Sequence, residues 1–202
     1  ANGNVTISNV TMEECSVSFM SVSNLGQSKT IDYHMTFSDI HIINRQFKYK
    51  SDITVFGNVK SEGIFQVTLD QWTLSNLTFA RGGSIMLFGQ QSSQSILVKD
   101  SVFSDITNAG IVVESADQTV VGTLSSKVTL QNVTASESNM ENTRFISAFT
   151  GAHLQIIDSD FSGISNFRTG AVIYAGYRSA QVFVNDTSFV NNTSINGAVF
   201  NA

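Results

Sequence analysis

Apolar residues alternate with other residues in seven short segments of the chain, and successive segments begin 26 to 32 residues apart. Each segment reads apolar, any residue, apolar, any residue, and then Asn, Asp or Gln. A period of two is typical of a β-strand with one buried face. The first apolar column contains Val5, Met35, Val67, Ile96, Val128, Leu154 and Val182. The second apolar column contains Ile7, Phe37, Leu69, Val98, Leu130, Ile156 and Val184.

A polar column follows the two apolar columns. It contains Asn9, Asp39, Gln71, Asp100, Asn132, Asp158 and Asp186. Short amide and carboxylate side chains bond to backbone groups that a corner leaves unpaired, and stacked amides bond to one another. We therefore predict a structural corner ladder at these seven positions. Three and six residues further on, two more columns begin at Met12 and Cys15, and the second of them is only half apolar.

A second strand follows in each repeat at a looser offset. It is predicted at residues 17–19, 53–55, 85–87, 111–113, 145–147, 171–173 and 198–200. Four of these strands follow a glycine within two residues, which permits a sharp corner. The sequence contains no proline, as a ladder that uses nearly every N–H group requires.

Coils of about 29 residues with two or three short strands predict an all-β fold, a right-handed parallel β-helix of about seven coils. We predict a single β-helix domain over residues 1–202. Because the repeat pattern reaches both ends of the sequence, we expect this domain to be a segment of a longer protein. Leu69, Leu130 and Ile156 should be fully buried.

Composition narrows the function. Only 13% of the residues are charged and the net charge is −5, so neither the composition nor any basic cluster favours a nucleic-acid partner. No apolar run is long enough for a membrane span. Arg45, Lys48 and Lys50 are interpreted as a solvated loop, and the lone Cys15 as a small buried hydrophobic residue. We expect a secreted or cell-surface protein.

The last two coils carry a sharper motif. Phe189 and Asn192 precede Gly197-Ala198-Val199, and Phe161 precedes Gly170-Ala171-Val172. These steps resemble the repeats of polymorphic outer-membrane proteins and of large eukaryotic surface proteins. The whole pattern resembles the pectin-lyase-like superfamily of right-handed β-helices. The resemblance implies the fold and carries little information about function.

Enzymes of that superfamily cut acidic polysaccharides with clustered Asp and Arg or Lys residues, sometimes with calcium. Asp158 and Asp186 lie in consecutive coils and form the candidate pair for a cation or a shared proton. The Asp-Asp, Gly-His-Gly and Arg-x-Lys motifs of polygalacturonase-like enzymes do not occur. We therefore predict no catalytic residue, cofactor or metal site, and retain a polysaccharide lyase or hydrolase as the alternative.

Asn-x-Ser/Thr sequons mark candidate glycosylation sites. Asn9 and Asn132 belong to the corner ladder and are expected to be too buried to carry a glycan. The remaining acceptors are Asn4, Asn76, Asn185, Asn191 and Asn192.

Thr6, Thr36, Thr68 and Thr129 share an outward column that Leu97, Gln155 and Phe183 interrupt. A flat threonine array binds ice or an ordered glycan, so an ice- or glycan-binding module is a further alternative, although β-propensity alone explains the column. The function we expect is non-enzymatic: an extracellular structural or adhesive β-helix in a surface protein, stalk or filament. The partners we expect are further copies stacked end to end or flanking β-helical segments, with glycans as a further candidate.

Overall fold

The computed structural model describes residues 2–14, 19–23, 32–57, 65–88, 94–113, 127–141, 143–149, 151–166, 172–176, 180–197 and 199–201. These residues form β-strands and their connections, and none of them is helical. The strands are β1 (Asn2–Glu13), β2 (Met20–Ser23), β3 (Asp32–Phe47), β4 (Ser51–Gly57), β5 (Phe65–Phe88), β6 (Gln94–Val113), β7 (Lys127–Ser136), β8 (Asn139–Met140), β9 (Ile146–Ala148), β10 (His153–Ile157), β11 (Asp160–Ser162), β12 (Ser165–Asn166), β13 (Ile173–Ala175), β14 (Gln181–Asn185), β15 (Ser188–Val190), β16 (Thr193–Ser194) and β17 (Phe200–Asn201).

The strands stack in parallel, one coil on the next, which confirms the predicted β-solenoid. Six pairings join the segments of the first strand into seven rungs. The first apolar column runs through them in the order Val5, Met35, Val67, Ile96, Val128, Leu154 and Val182. We use the word rung for all the strand segments of one coil.

The two apolar columns form the wall of a closed core. Leu69, Leu130 and Ile156 have 0% of their surface exposed, as predicted. Aromatic rings also stack along the solenoid axis, with 4.3 Å between the ring centroids of Phe47 and Phe79. Each coil therefore buries its neighbours' apolar side chains, which is how a solenoid builds one core from short repeats.

The second strand of each coil is present, but its predicted register is partly wrong. Met86, rather than Ile85, pairs with Ile111. Ile111 in turn pairs with Ile146 rather than with Phe145. A register shift between Ser84 and Met86 explains the first of these differences, because the extra residue displaces the rest of β5 relative to β6. Periodicity cannot locate such a bulge because it does not change which residues are apolar.

Two glycines precede this strand because the coils approach each other closely there. A Cβ atom on Gly110 would lie 1.9 Å from the carbonyl oxygen of Arg144. A Cβ atom on Gly83 would lie 2.0 Å from the carbonyl oxygen of Ser51. Both distances exclude a side chain without movement of the backbone.

Arg45 is not part of a solvated loop. Its side chain is 1% exposed, and the guanidinium carbon lies 4.7 Å from the centroid of the Phe47 ring. Lys48 and Lys50 are exposed as expected. The correction follows from register, because Arg45 occupies a position that faces the core, where Leu77 and Ile106 lie in the next two rungs. Cys15 lies outside the described residues.

Candidate functional site

All seven residues of the predicted corner ladder lie in the left-handed backbone region. Their φ angles run from 46° at Asp186 to 58° at Asn9. Asn and Asp tolerate this conformation better than other residues with a Cβ atom because their short polar side chains bond locally. The structure therefore places the first corner column where the chain leaves the first strand.

A second corner column lies five residues after the first and was not predicted from the sequence. Its members have φ angles of 50° to 62°. They are Glu14, Asn44, Asn76, Asp105, Glu137, Gly163 and Asn191. Five of the seven members are Asn, Asp or Gly, the residue types that favour positive φ, and this preference is the signal that could have found the column. Glu14 and Glu137 do not share it.

Side chains from the following coil satisfy the backbone at both corners. The hydroxyl of buried Ser159 accepts a hydrogen bond from the N–H of Val133 at 3.1 Å and donates to the carbonyl of Ile157 at 2.8 Å. These contacts explain why buried columns contain some polar residues. Ser101, Ser138 and Asn192 each make an equivalent pair of contacts. Each side chain accepts a hydrogen bond from a backbone N–H of the preceding coil. Each also donates to a backbone carbonyl, which lies in the same coil for the two serines and in the preceding coil for Asn192.

A series of contacts between charged and polar side chains crosses the first corner column. Lys99 Nζ lies 2.8 Å from Asp70 Oδ2 and 3.5 Å from Asp100 Oδ2. Asn132 Nδ2 donates to Asp100 Oδ1 at 2.7 Å. The bond from Asn132 is the main reason why the pKa of Asp100 is lowered, and the bond to Asp70 is the main reason why the pKa of Lys99 is raised. These contacts link three successive rungs at the surface.

Asp158 and Asp186 lie on consecutive rungs, and both side chains are exposed. The backbone N–H of Asp158 donates to the carbonyl of Asn185 at 3.2 Å. Within the described ranges, no group of three or more His, Cys, Asp and Glu side chains is arranged to hold a metal ion. The pair thus occupies ordinary corner positions.

The outward residues of the first strand form a surface that we name the threonine face, after its central column. Pairing places Thr6, Thr36, Thr68, Leu97, Thr129, Gln155 and Phe183 in that column. Phe183 is 53% exposed, and its ring stacks on His153 with 5.1 Å between centroids. The hydroxyl row therefore ends in an exposed aromatic ring.

A second outward surface, the acidic face, lies between the two corner columns. It is formed by the outward-facing residues of segments 9–14, 39–44, 71–76, 100–105, 132–137, 158–163 and 186–191. These segments contain nine of the 16 Asp and Glu residues and none of the 11 Lys and Arg residues of the chain. The nine are Glu13, Glu14, Asp39, Asp100, Asp105, Glu137, Asp158, Asp160 and Asp186. One central row is purely hydroxyl over four rungs, and it consists of Ser75, Ser104, Ser136 and Ser162.

The sequon residues differ in how free their amide nitrogens are. Asn9 and Asn132 are exposed, so the expectation that they are buried is wrong: the corner turns their side chains outward. Asn192 Nδ2 donates to the carbonyl of Phe161 at 2.9 Å, and Asn76 Nδ2 donates to Asn44 Oδ1 at 2.8 Å.

The other three candidate acceptors are Asn4, Asn185 and Asn191. Asn185 Nδ2 donates to Asp186. Asn4 and Asn191 are exposed. Glycosylation at the five predicted acceptors stays a prediction.

No helix in the described parts of the chain is long and apolar enough to cross a membrane. No protein family, curated protein or solved structure matches this chain. The arrangement itself supplies flat outward faces, regular corners and outermost rungs with partly exposed core columns.

Proposed function

We propose that the chain is a non-enzymatic structural or adhesive β-helix, secreted or on the cell surface, that forms part of a stalk, filament or surface protein. Further β-helical coils, from flanking segments or from other copies, would cover its outermost rungs. The architectural resemblance to pectin-lyase-like β-helices and to surface-protein repeats is part of this proposal. The parallel stack and its polar corner column support it.

The parallel stacking of seven rungs around continuous apolar columns carries the proposal. In the central rungs the second apolar column is fully buried, as at Leu69 and Leu130. In the same column, Ile7 is 38% exposed and Val184 is 42% exposed. A parallel strand edge with an exposed apolar row is a template for another strand.

The charge of the acidic face supports this reading over the polysaccharide lyase or hydrolase. Enzymes that cut acidic polysaccharides must attract a polyanion. The Nζ atom of Lys99 lies 3.5 Å from one of the nine carboxylates on this face, that of Asp100. The other eight carboxylates repel such a substrate. Asp158 and Asp186 lie on this face, so the candidate acid pair stands where an acidic substrate is least favoured.

The proposal is tested on native material by electron microscopy. Seven coils at about 4.8 Å each give a body roughly 33 Å long. We expect native rods several times longer than this, and no release of reducing ends or unsaturated products from pectin, alginate or chondroitin. Product release that Asp158→Asn abolishes would support the enzymatic alternative instead.

Glycan analysis tests the location. A protein that passes through a eukaryotic secretory pathway should carry sugar at Asn4, Asn76, Asn185, Asn191 or Asn192. Intact-mass measurement of native protein before and after enzymatic deglycosylation should then show a mass loss. An unchanged mass would remove this support for secretion by that route.

One observation favours a second candidate, a glycan-binding module. The exposed Phe183 ring lies in the same strand as Gln181 and Asn185 and beside Gln155. An aromatic face flanked by amides suits a neutral sugar ring. Titration with neutral oligosaccharides, followed by the NMR signals of Phe183 and repeated with Phe183→Ala, tests this candidate.

A further inference from the structure

We propose that a second copy of this chain docks on the side of the first, with a basic ridge of one copy against the acidic face of the other. This inference rests on the structural role proposed above and names a lateral partner for it. The basic ridge lies at the corner before β4 and consists of Lys48, Tyr49, Lys50 and Arg81.

Strand pairing brings the ridge residues of two coils together. Both β3 and β4 pair with β5 at the same offset, so the corner between them keeps its register. Tyr49 of the second rung therefore lies beside Arg81 of the third. This corner is three residues longer in the third rung than in the fourth, because the register shifts between Thr78 and Gly83. The ridge therefore projects beyond the coil that follows it.

The three cations of the ridge have no acidic partner among the residues that the structure describes. All three are exposed, and the ion pairs in the described ranges involve only Lys99 and His41 as cations. Asp52, the carboxylate next along the chain, accepts hydrogen bonds from the N–H of Ser84 at 3.1 Å and from its hydroxyl. Tyr49 is 73% exposed. The ridge thus presents an exposed aromatic ring surrounded by positive charge.

A complementary surface, which we name the docking area, lies on the acidic face in the fourth and fifth rungs. Ser104 pairs with Ser136, so the next residues, Asp105 and Glu137, lie side by side at the second corner. Both are exposed, and neither makes an ion pair within the described ranges. Adjacent carboxylates repel each other, so a cation placed against both is favourable. The docking area also includes Val102, which is 42% exposed.

The two surfaces match in charge and in their apolar groups. The ridge has an aromatic ring flanked by cations, and the docking area has an aliphatic side chain flanked by carboxylates. Docking places Tyr49 against Val102 and the ridge cations against Asp105 and Glu137. Tyr and Arg are enriched in interfaces because they bury apolar surface while their polar ends still bond. Each copy offers both surfaces, so the contact is heterologous and continues from copy to copy.

Charge exchange between the two surfaces tests this docking by sedimentation velocity of the 202-residue chain. Lys48→Glu with Lys50→Glu makes the ridge negative, and Asp105→Lys with Glu137→Lys makes the docking area positive. Each doubly substituted chain should self-associate about fivefold or more weakly than the unaltered chain. An equimolar mixture of the two should associate again, because the negative ridge of one then meets the positive docking area of the other.

Two comparisons control for net charge. Asp105→Lys with Glu137→Lys brings the net charge of −5 closer to zero, so repulsion between whole chains predicts stronger association, whereas docking predicts weaker association. Lys127→Glu changes the net charge as much as Lys50→Glu does, but Lys127 is exposed on the threonine face. Lys127→Glu should therefore leave association unchanged. Circular dichroism should show that every variant is folded.

Three results would overturn the inference: an unaltered chain that stays monomeric up to about 1 mM, a charge-exchanged mixture that fails to associate, or equal losses from Lys127→Glu and Lys50→Glu. Binding of alginate through Lys48 and Lys50 by a chain that does not self-associate would assign the ridge to an anionic polysaccharide and overturn it as well. Native rods seen by electron microscopy would leave the proposed structural function standing in each of these cases.

Discussion

The central and outermost rungs of the solenoid carry the same residue pattern but differ in what surrounds it. Leu69 in the third rung is fully buried, whereas Ile7 in the first rung, in the same column, is 38% exposed. Both residues are large, apolar and strand-forming. The difference arises because Leu69 has a coil on each side and Ile7 has a described neighbour on one side only. Burial in a solenoid is thus a property of neighbouring coils, so equivalent substitutions should differ in effect by rung.

The largest effect is expected from a charge placed in the central core. Leu130→Asp buries an unpaired carboxylate and should lower the free energy of unfolding by about 4 kcal/mol or more. Ile7→Asp, in the same column, keeps its charge near solvent and should cost about 1 kcal/mol. Urea unfolding followed by circular dichroism measures both. Equal losses would show that the first rung is as well covered as the central ones.

The next largest effect concerns two glycines, of which Gly110 is buried and Gly163 is exposed. Gly110→Ala forces a Cβ atom against the carbonyl oxygen of Arg144 and should cost about 2–3 kcal/mol. Gly163→Asn is the matched control because Gly163 is exposed with φ +62°, a conformation that Asn occupies elsewhere in its column. The control should change stability by less than about 0.5 kcal/mol. Thermal unfolding of both variants would decide whether close approach or backbone angle governs these glycines.

A smaller difference in stability is expected between substitutions of two hydroxyl residues, Ser159 and Thr187, that each follow a residue of the first corner column. Ser159→Ala leaves the buried N–H of Val133 without its acceptor and should cost about 1–3 kcal/mol. Thr187 makes the local contact, from its hydroxyl to the carbonyl of Asn185, but lies in the last rung. Thr187→Ala should therefore cost less than about 0.5 kcal/mol. If amide hydrogen exchange at Val133 is as slow in Ser159→Ala as in the unaltered chain, the proposed bond does not protect it.

The smallest effect is electrostatic. The amide of Asn132 lowers the pKa of Asp100 from its ordinary 3.8, so this contact stabilises the fold above about pH 4. The contribution is lost as the pH falls through the lowered pKa. Asn132→Ala should raise the pKa of Asp100, as measured by NMR titration of its carboxyl carbon. Thr134→Ala, on the same strand but away from Asp100, should leave that pKa unchanged.

Much of the fold could be predicted because the buried columns have a strict period of two. The pairing of Val5 with Met35, and of each later member with the next, follows from aligning these columns. The second strand was predicted less well because its coils contain a bulge near Ile85, and a bulge leaves the apolar pattern unaltered. The second corner column was missed because its members, five Asn, Asp or Gly residues and two Glu residues, share a backbone angle rather than a chemistry.

The assignment of outward-facing residues to a common surface required the structure more than any other feature did. Thr6 and its column could be read from the sequence, but Ser75, Ser104, Ser136 and Ser162 became one row only through the pairing of their strands. The acidic face likewise requires both corners to be known before its charges can be assigned to one side. Positions that face solvent obey no apolar period, so the sequence leaves them unassigned.

By itself, the sequence determined that this chain coils as a parallel β-solenoid, because alternating apolar residues must face a common core. It also determined the first corner, because six of its seven positions hold Asn or Asp, whose short polar side chains suit that backbone. The tertiary structure alone decided the register of the second strands, the burial of Arg45 and the exposure of Asn9 and Asn132. These depend on where each coil bends and on which coil lies beside it, and neither is a local property of the chain.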